Sequence, residues 1–257
     1  PKEDSMALDN QDKIERVINT ITIAVLRLPR IANFDDLDPL SVHTGVNMII
    51  VEQGEVIPGN TDVIIIPGSK ATLSDLAVIR EQGWDLDIKA HHRRGGLIIG
   101  LCGGYQILGS FIEDPRGMEG VPGRQEGLGL LKVQTVMGGT KTLSNVKAVE
   151  VDGGGEIFGY EMHIGYTSGE DCSRPWFKLS DGRTEGACSE DRRVFGSYIH
   201  GLFASDEFRQ QFLARIHDGT LSSFCYEEHI DKTLDLLADH VEKNIDLEAL
   251  LNSSKSV

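Results

Sequence analysis

Hydrophobic positions fall into two regimes along this chain. From Thr22 to about residue 110 they come as short, unbroken, β-branched runs: "TIAVLRL" stopped by Pro29, "VNMIIVE", "DVIII" and "LII". Such runs mark strands buried on both faces. Between them "TDVIIIPGSKATLSDLAVIREQG" reads as a strand, a Pro-Gly-Ser turn and a helix, and the stretch after Pro29 reads as a loop rich in aspartate. The order β, β, β, α, β, α predicts an α/β fold, a mostly parallel, flavodoxin-like sheet with helices on both faces. Beyond residue 130 the runs shorten and alternate ("LLKVQTV", "VKAVEV", "YEMHIGYT", "VFGSYIHGLF"), which predicts an antiparallel or mixed extension of that sheet. "SDEFRQQFLARIHDG" is a helix capped by Ser205 with Gly219 near its end, and a second amphipathic helix runs from about Tyr226 to Leu251, with Asn244 a candidate break. Glu113 to Gly129 is dense in Gly and Pro and reads as a mobile loop on the side of the sheet where the strands end. With no internal repeat, the simplest partition is a linker at 1–20, one α/β domain at 21–220 and a helical extension at 221–257.

Composition narrows the partners. A chain of 257 residues with 40% hydrophobic content can bury a substantial core. Its formal charge of -15, from 40 acidic and 25 basic residues, argues against nucleic acid or an anionic membrane as the main ligand. Cys102, Cys172, Cys188 and Cys225 form no CxxC pair and show no metal-ligand spacing, and nothing resembles a signal peptide, so a reducing cytoplasm is expected. No apolar run approaches the ~18 to 20 residues of a membrane span.

Chemistry concentrates at "GLIIGLCGGYQILGS". A buried strand runs into Cys102, glycines allow a sharp turn and Tyr105 to Leu108 starts a helix, the arrangement of a nucleophile elbow. A thiol there would be exposed and acidified by the helix N-terminus, whereas the plainer alternative is a small buried hydrophobe. A reactive cysteine needs a base. His91 and His92 beside Arg93 and Arg94 read as a solvated basic patch, and His43, His217, His229 and His240 give no sign of function. His200 is favoured because it ends a strand and precedes the flexible Gly201, where open α/β sheets gather reactive groups. His163 alternates with Glu161, placing both on one strand face, either lining a pocket or forming a surface pair. The "PGSK" turn offers Gly68 and Ser69, with Gly103, as backbone donors for an oxyanion, or simply starts a helix with Ser69 or Thr72 as cap.

Together, "PGSK", "GLCGGYQILG", "GYEMHIGYT" and "GSYIHGLF" resemble class I glutamine amidotransferase domains of the cobyric acid synthase type, from the first strand to the helix after His200. The resemblance implies that Cys102 attacks the glutamine side-chain amide with His200 as proton carrier. Gly68, Ser69 and Gly103 would hold the oxyanion, and Tyr105, Gln106, His163 and Glu161 would shape the glutamine pocket. Ammonia would pass to an N-terminal ATP-dependent synthetase domain that amidates corrinoid carboxylates in cobalamin biosynthesis. ATP and Mg belong to that domain, no cofactor or metal is expected in this one, and no GxxxxGK[ST] loop occurs in the chain. The segment "EDSMALD" would then be the junction between the two halves. Most of the wider class carries His-Pro-Glu, but this chain reads His200-Gly201-Leu202. The site therefore reads as a dyad, slow without its partner, with Glu161 or Asp206 as possible stand-ins for the lost carboxylate. Two alternatives stay open: the glutaminase subunit that serves lipid II amidation with a Mur-ligase-like partner, and a catalytically silent docking domain.

Overall fold

The computed structural model describes residues 20–216 and 224–246. The linker assigned to 1–20 therefore lies outside the described residues except for Thr20, as do Gly219 and the end of the expected helix at Leu251. Six strands form the main sheet: β1 Ile21–Leu26, β2 Val46–Val51, β3 Val63–Ile66, β4 Leu97–Leu101, β5 Ala187–Cys188 and β6 Val194–Ser197, in the order β5-β6-β4-β3-β1-β2. All neighbours are parallel except β5, which runs antiparallel to β6 at one edge.

Strand pleating divides the core in two. Ala24 and Leu26 of β1, with Ile64 and Ile66 of β3, face one apolar cluster. It contains Leu76 and Ile79 of α2 (Thr72–Glu81), Trp84 and Ile88 of α3 (Trp84–Arg93) and Ile107 and Leu108 of α4 (Gly103–Leu108). Ile23, Val25 and Ile65 face the other, with Leu40 of α1 (Asp38–Ser41) and Phe208 and Phe212 of α5 (Asp206–Ala214). The sheet is thus covered on both faces, as its unbroken apolar runs require. α2 and α3 replace the single helix expected after "PGSK", because Gly83 takes φ +73° and turns the chain between them.

One alternating run extends the first sheet, as the mixed edge formed by β6 and β5, whereas the others form separate sheets. One is antiparallel, in the order Thr184–Glu185, Phe177–Leu179, Thr142–Glu150, Glu156–His163, Ile199–His200. The other holds Tyr166–Gly169, Val133–Val136, Phe111–Asp114 and Gly123–Glu126, so part of the glycine-rich segment is a β-hairpin. "VFGSYIHGLF" divides at Tyr198. Val194–Ser197 joins β4 in parallel, whereas Ile199–His200 pairs with Glu156–His163. The backbone donors freed by this switch are satisfied by side chains: Glu185 accepts Tyr198 N–H at 2.7 Å, and Ser197 Oγ accepts Ile199 N–H at 3.0 Å. Ser205 caps α5, accepting from Phe208 N–H.

The chain divides into two compact units, residues 1–222 and 223–257. The second contributes α6 (Tyr226–Asn244), whose Ile230, Leu234 and Leu237 are exposed. Among the described residues no helix is long and apolar enough to cross a membrane.

The close packing of α4 on β3 supplies a test. An added Cβ at Gly104 would lie 1.9 Å from the Ile66 carbonyl oxygen, whereas one at Gly59 meets nothing within 4 Å. Gly104→Ala is expected to lose about 1–3 kcal/mol or more in urea unfolding, and Gly59→Ala to stay within about 0.5 kcal/mol. Equal stability of the two variants would contradict this packing.

Candidate active site

Cys102 follows β4 directly and takes φ +50°, ψ −109°, one of three non-glycine residues with positive φ among those described. A side chain in this region signals strain that the surroundings must impose. Cys102 N–H donates to Ser197 O at 2.8 Å, and its carbonyl accepts Gln106 N–H. Glycine makes the tight passage possible. An added Cβ at Gly100 would sit 2.6 Å from Gly104 backbone, and one at Gly103 would sit 2.9 Å from Ser69 N.

The "PGSK" turn lies against this elbow. The Cβ position of Gly68 is 3.7 Å from Cys102 Cβ. Gly68–Ser69 pairs as a two-residue strand with Ile31–Ala32. Ser69 Oγ donates to buried Asp75 at 2.6 Å and accepts Ala71 N–H, so its hydroxyl is committed to the turn. Gly68, Ser69 and Gly103 are thereby gathered at the nucleophile position.

The thiol of Cys102 donates to Met162 O at 3.3 Å. His200 is 1% exposed, and its Nδ1 sits 2.6 Å from Asp36 Oδ2. Its Nε2 is buried without a hydrogen bond of normal geometry, yet the Cys102 sulfur is close enough to act on it. Burial disfavours the imidazolium. The hydrogen bonds and charges of Asp36 and Cys102 outweigh that and push the His200 pKa up to about 10.

Asp36 escaped sequence reasoning. It stands in the aspartate-rich stretch expected to be a loop, which instead forms a 3-10 turn, Phe34–Leu37, running into α1. The only local signal was the run "FDDLDP" itself. Neither residue offered as a stand-in reaches His200. Glu161 binds His163 Nε2 at 3.1 Å and Arg183 at 3.3 Å, and Asp206 binds Arg209 at 2.5 Å.

Of the four residues expected to shape the glutamine pocket, Tyr105 and Gln106 lie on α4 beside the elbow. Gln106 is buried and hydrogen-bonds Thr72, Ile164 O and Tyr198 OH. Glu161 and His163 point the other way. Alternation along Glu156–His163 puts Tyr160 on the His200 side, with their rings stacked at 5.1 Å. His163 stacks instead on Tyr198 at 4.0 Å. Glu161 and His163 line a cavity of about 400 Å³ together with Tyr105, Cys172 and Glu185. Burial pushes the Glu185 pKa up to about 7 against the bonds from Tyr198 and Ser197.

Two further expectations change. His91 is not solvated: it is 2% exposed, sits against Gly96 and hydrogen-bonds Leu97 O at 3.0 Å. The glycine-rich tip is anchored. Asp114 accepts the N–H groups of Met118 and Glu119, and Glu119 accepts Thr72 N–H at 2.7 Å. A larger cleft, about 840 Å³, opens at the opposite end of the sheet beside Asp62, Leu97 and Arg193, away from Cys102. Among the described residues no cluster of His, Cys, Asp and Glu is arranged to hold a metal ion.

This fold with this elbow is that of class I glutamine amidotransferases. PurLQS from Thermotoga maritima superposes with a TM-score of 0.55 at 20% identity, covering 70% of this chain and 87% of that one. A structure described as a glutamine amidotransferase matches with a TM-score of 0.52 at 18% identity, over 76% of this chain and 97% of its own. Residues 22–208 match the CobB/CobQ-like glutamine amidotransferase domain, and the chain belongs to that family. A cobyric acid synthase of Ruegeria sp. (strain TM1040) is 51% identical over 235 residues, 91% of this chain and 48% of that protein. One from Bradyrhizobium diazoefficiens is 50% identical over 255 residues, 99% of this chain and 52% of the relative. The chain spans about half the length of these relatives.

The raised His200 pKa fixes a pH dependence. A group whose pKa rises on folding stabilises the native state fully below its unfolded value, about 6.5 for histidine. That contribution is lost as pH rises through about 10. The difference in unfolding free energy between wild type and His200→Ala should therefore be constant in acid and shrink between those values. Urea unfolding across a pH series measures it, and a difference independent of pH up to 10 would refute the assignment.

Proposed function

We propose that this domain hydrolyses glutamine through a thioester on Cys102 and supplies the ammonia for corrinoid amidation in cobalamin biosynthesis. The observation that carries the reading is Cys102 at positive φ on the elbow, within reach of a buried His200 whose other nitrogen is held by a carboxylate. The raised basicity of His200 favours moving the thiol proton onto Nε2. The thiolate attacks the side-chain carbonyl carbon of glutamine. Backbone donors of Gly68, Ser69 and Gly103 stabilise the oxyanion, and Tyr105 and Gln106 shape the pocket. The imidazolium gives its proton to the departing nitrogen, the C–N bond breaks, and ammonia leaves a γ-glutamyl thioester. Neutral His200 then takes a proton from water, whose oxygen attacks the thioester and releases glutamate.

Ammonia is consumed by the half of the protein that precedes this domain in its relatives. There ATP with magnesium would activate a corrinoid carboxylate. About 50% identity to cobyric acid synthases over nearly the whole chain supports this reading. A cytoplasmic location, where its four cysteines would remain free thiols, fits this reading.

A glutamine-analogue electrophile followed by mass spectrometry tests the nucleophile. The adduct is expected on Cys102 alone. Cys188 is buried, with its thiol pKa pushed up to about 12, and burial also raises that of Cys172. Preferential labelling of any other cysteine overturns the proposal. Replacing His200 by Ala should lower glutamine turnover by roughly 10²- to 10⁴-fold, and a loss below about tenfold would remove its role.

A further inference from the structure

We infer that Asp36 is the positioning carboxylate of this site, making it a Cys102–His200–Asp36 triad whose third member comes from the loop between β1 and β2. The inference rests on the glutaminase reading, and deepens it.

Four observations converge on residues 31–36. Ile31–Ala32 pairs with Ser69–Gly68, so the segment starts on the turn assigned to the oxyanion. Asn33 then takes a left-handed conformation, φ +55° and ψ 45°, which reverses the chain into the 3-10 turn. From there Asn33 Nδ2 donates to Tyr160 OH at 2.7 Å, and Tyr160 stacks on the His200 ring with 19° between the planes. Asp36, 5% exposed, engages the histidine with one oxygen and Gly201 N–H with the other, at 2.6 and 2.7 Å. Gly201 reaches that position at φ +80°, where proline could neither adopt the angle nor donate.

A carboxylate gripped at both oxygens is fixed in direction, and so fixes the ring it binds. Its acceptance at Nδ1 places the proton of neutral His200 on that nitrogen and leaves Nε2 as the lone-pair side toward Cys102. As the thiol proton moves onto Nε2, Asp36 faces the new positive charge at a distance of one hydrogen bond. The histidine is thus oriented, held in one tautomer and stabilised as a cation, while Asp36 touches neither glutamine nor the thiol.

The test compares wild type with Asp36→Asn, and with Asp35→Asn as an exposed neighbour. Three quantities are measured: glutamine kcat and KM, the pH profile of turnover, and the imidazole titration of His200 by NMR. In Asp36→Asn, kcat should fall roughly 10²- to 10⁴-fold with KM changed less than about threefold. The alkaline limb of the profile and the NMR titration should both move to lower pH. Asp35→Asn should match wild type. Circular dichroism checks the fold of each variant. Should Asp36→Asn not fold, the wild-type spectrum still decides: His200 titrating at or below the ordinary histidine value overturns the inference, and a clearly higher value with a slowly exchanging Nδ1 proton upholds it. A folded Asp36→Asn with unchanged kcat and pH profile overturns it too. Wild type that forms no Cys102 adduct and turns over no glutamine would instead sink the glutaminase reading, a result separable from the NMR outcome.

Discussion

The φ of +50° at Cys102 is the constraint around which this site is built. Such a conformation costs a non-glycine residue on the order of 1–3 kcal/mol, and it persists only where neighbours over-determine it. Here they do so from three directions. Ser197 O holds the Cys102 N–H, the backbone of β3 presses on Gly104, and the "PGSK" turn presses on Gly103. The last two contacts leave no room for a side chain, so Gly103 and Gly104 are packing residues as much as turn residues. Relaxing the cysteine would mean separating α4 from the sheet.

A second cost is accepted at Asp36. Burying a carboxylate is expensive unless it is paired and hydrogen-bonded, and removing one partner of such a pair typically costs more than the pair contributes. Both oxygens of Asp36 are satisfied, one by the imidazole and one by the Gly201 amide. The Gly201 contact satisfies the oxygen that His200 does not reach, so neither oxygen of the buried carboxylate is left without a donor. The two buried groups therefore stabilise the fold and fix the base by the same geometry.

Much of this was legible in the sequence, and the illegible part has a common cause. The elbow, the parallel sheet and the preference for His200 over the other histidines follow from local pattern: apolar runs, glycine spacing and position at a strand end. What local pattern lacks is the face of a strand that meets a given neighbour. Glu161 and His163 were readable as sharing a face, but only the pairing of Tyr160 with His200 shows that theirs is the other one. His91 looked solvated beside two arginines, yet the missing side chain at Gly96 opens a place for its ring. Asp36 is the extreme case, 164 residues from the histidine it binds. Nothing in "FDDLDP" marks one aspartate above the others, since the choice is made by a left-handed Asn33 and a 3-10 turn in place of the expected loop.

The two histidine–carboxylate pairs have their histidines on neighbouring strands and differ in their surroundings. In His200–Asp36 the side chains are 1% and 4% exposed, and in His163–Glu161 they are 14% and 8% exposed. Solvent and salt screen the second pair more. Glu161 also divides its charge: His163 hydrogen-bonds it, lowering its pKa, and Arg183 lowers it further against the opposing effect of burial. Asp36 has no such competitor among its hydrogen bonds, so its field falls on His200. Chemically similar pairs thus diverge in burial and partners, one beside Cys102 and the other in the wall of a cavity.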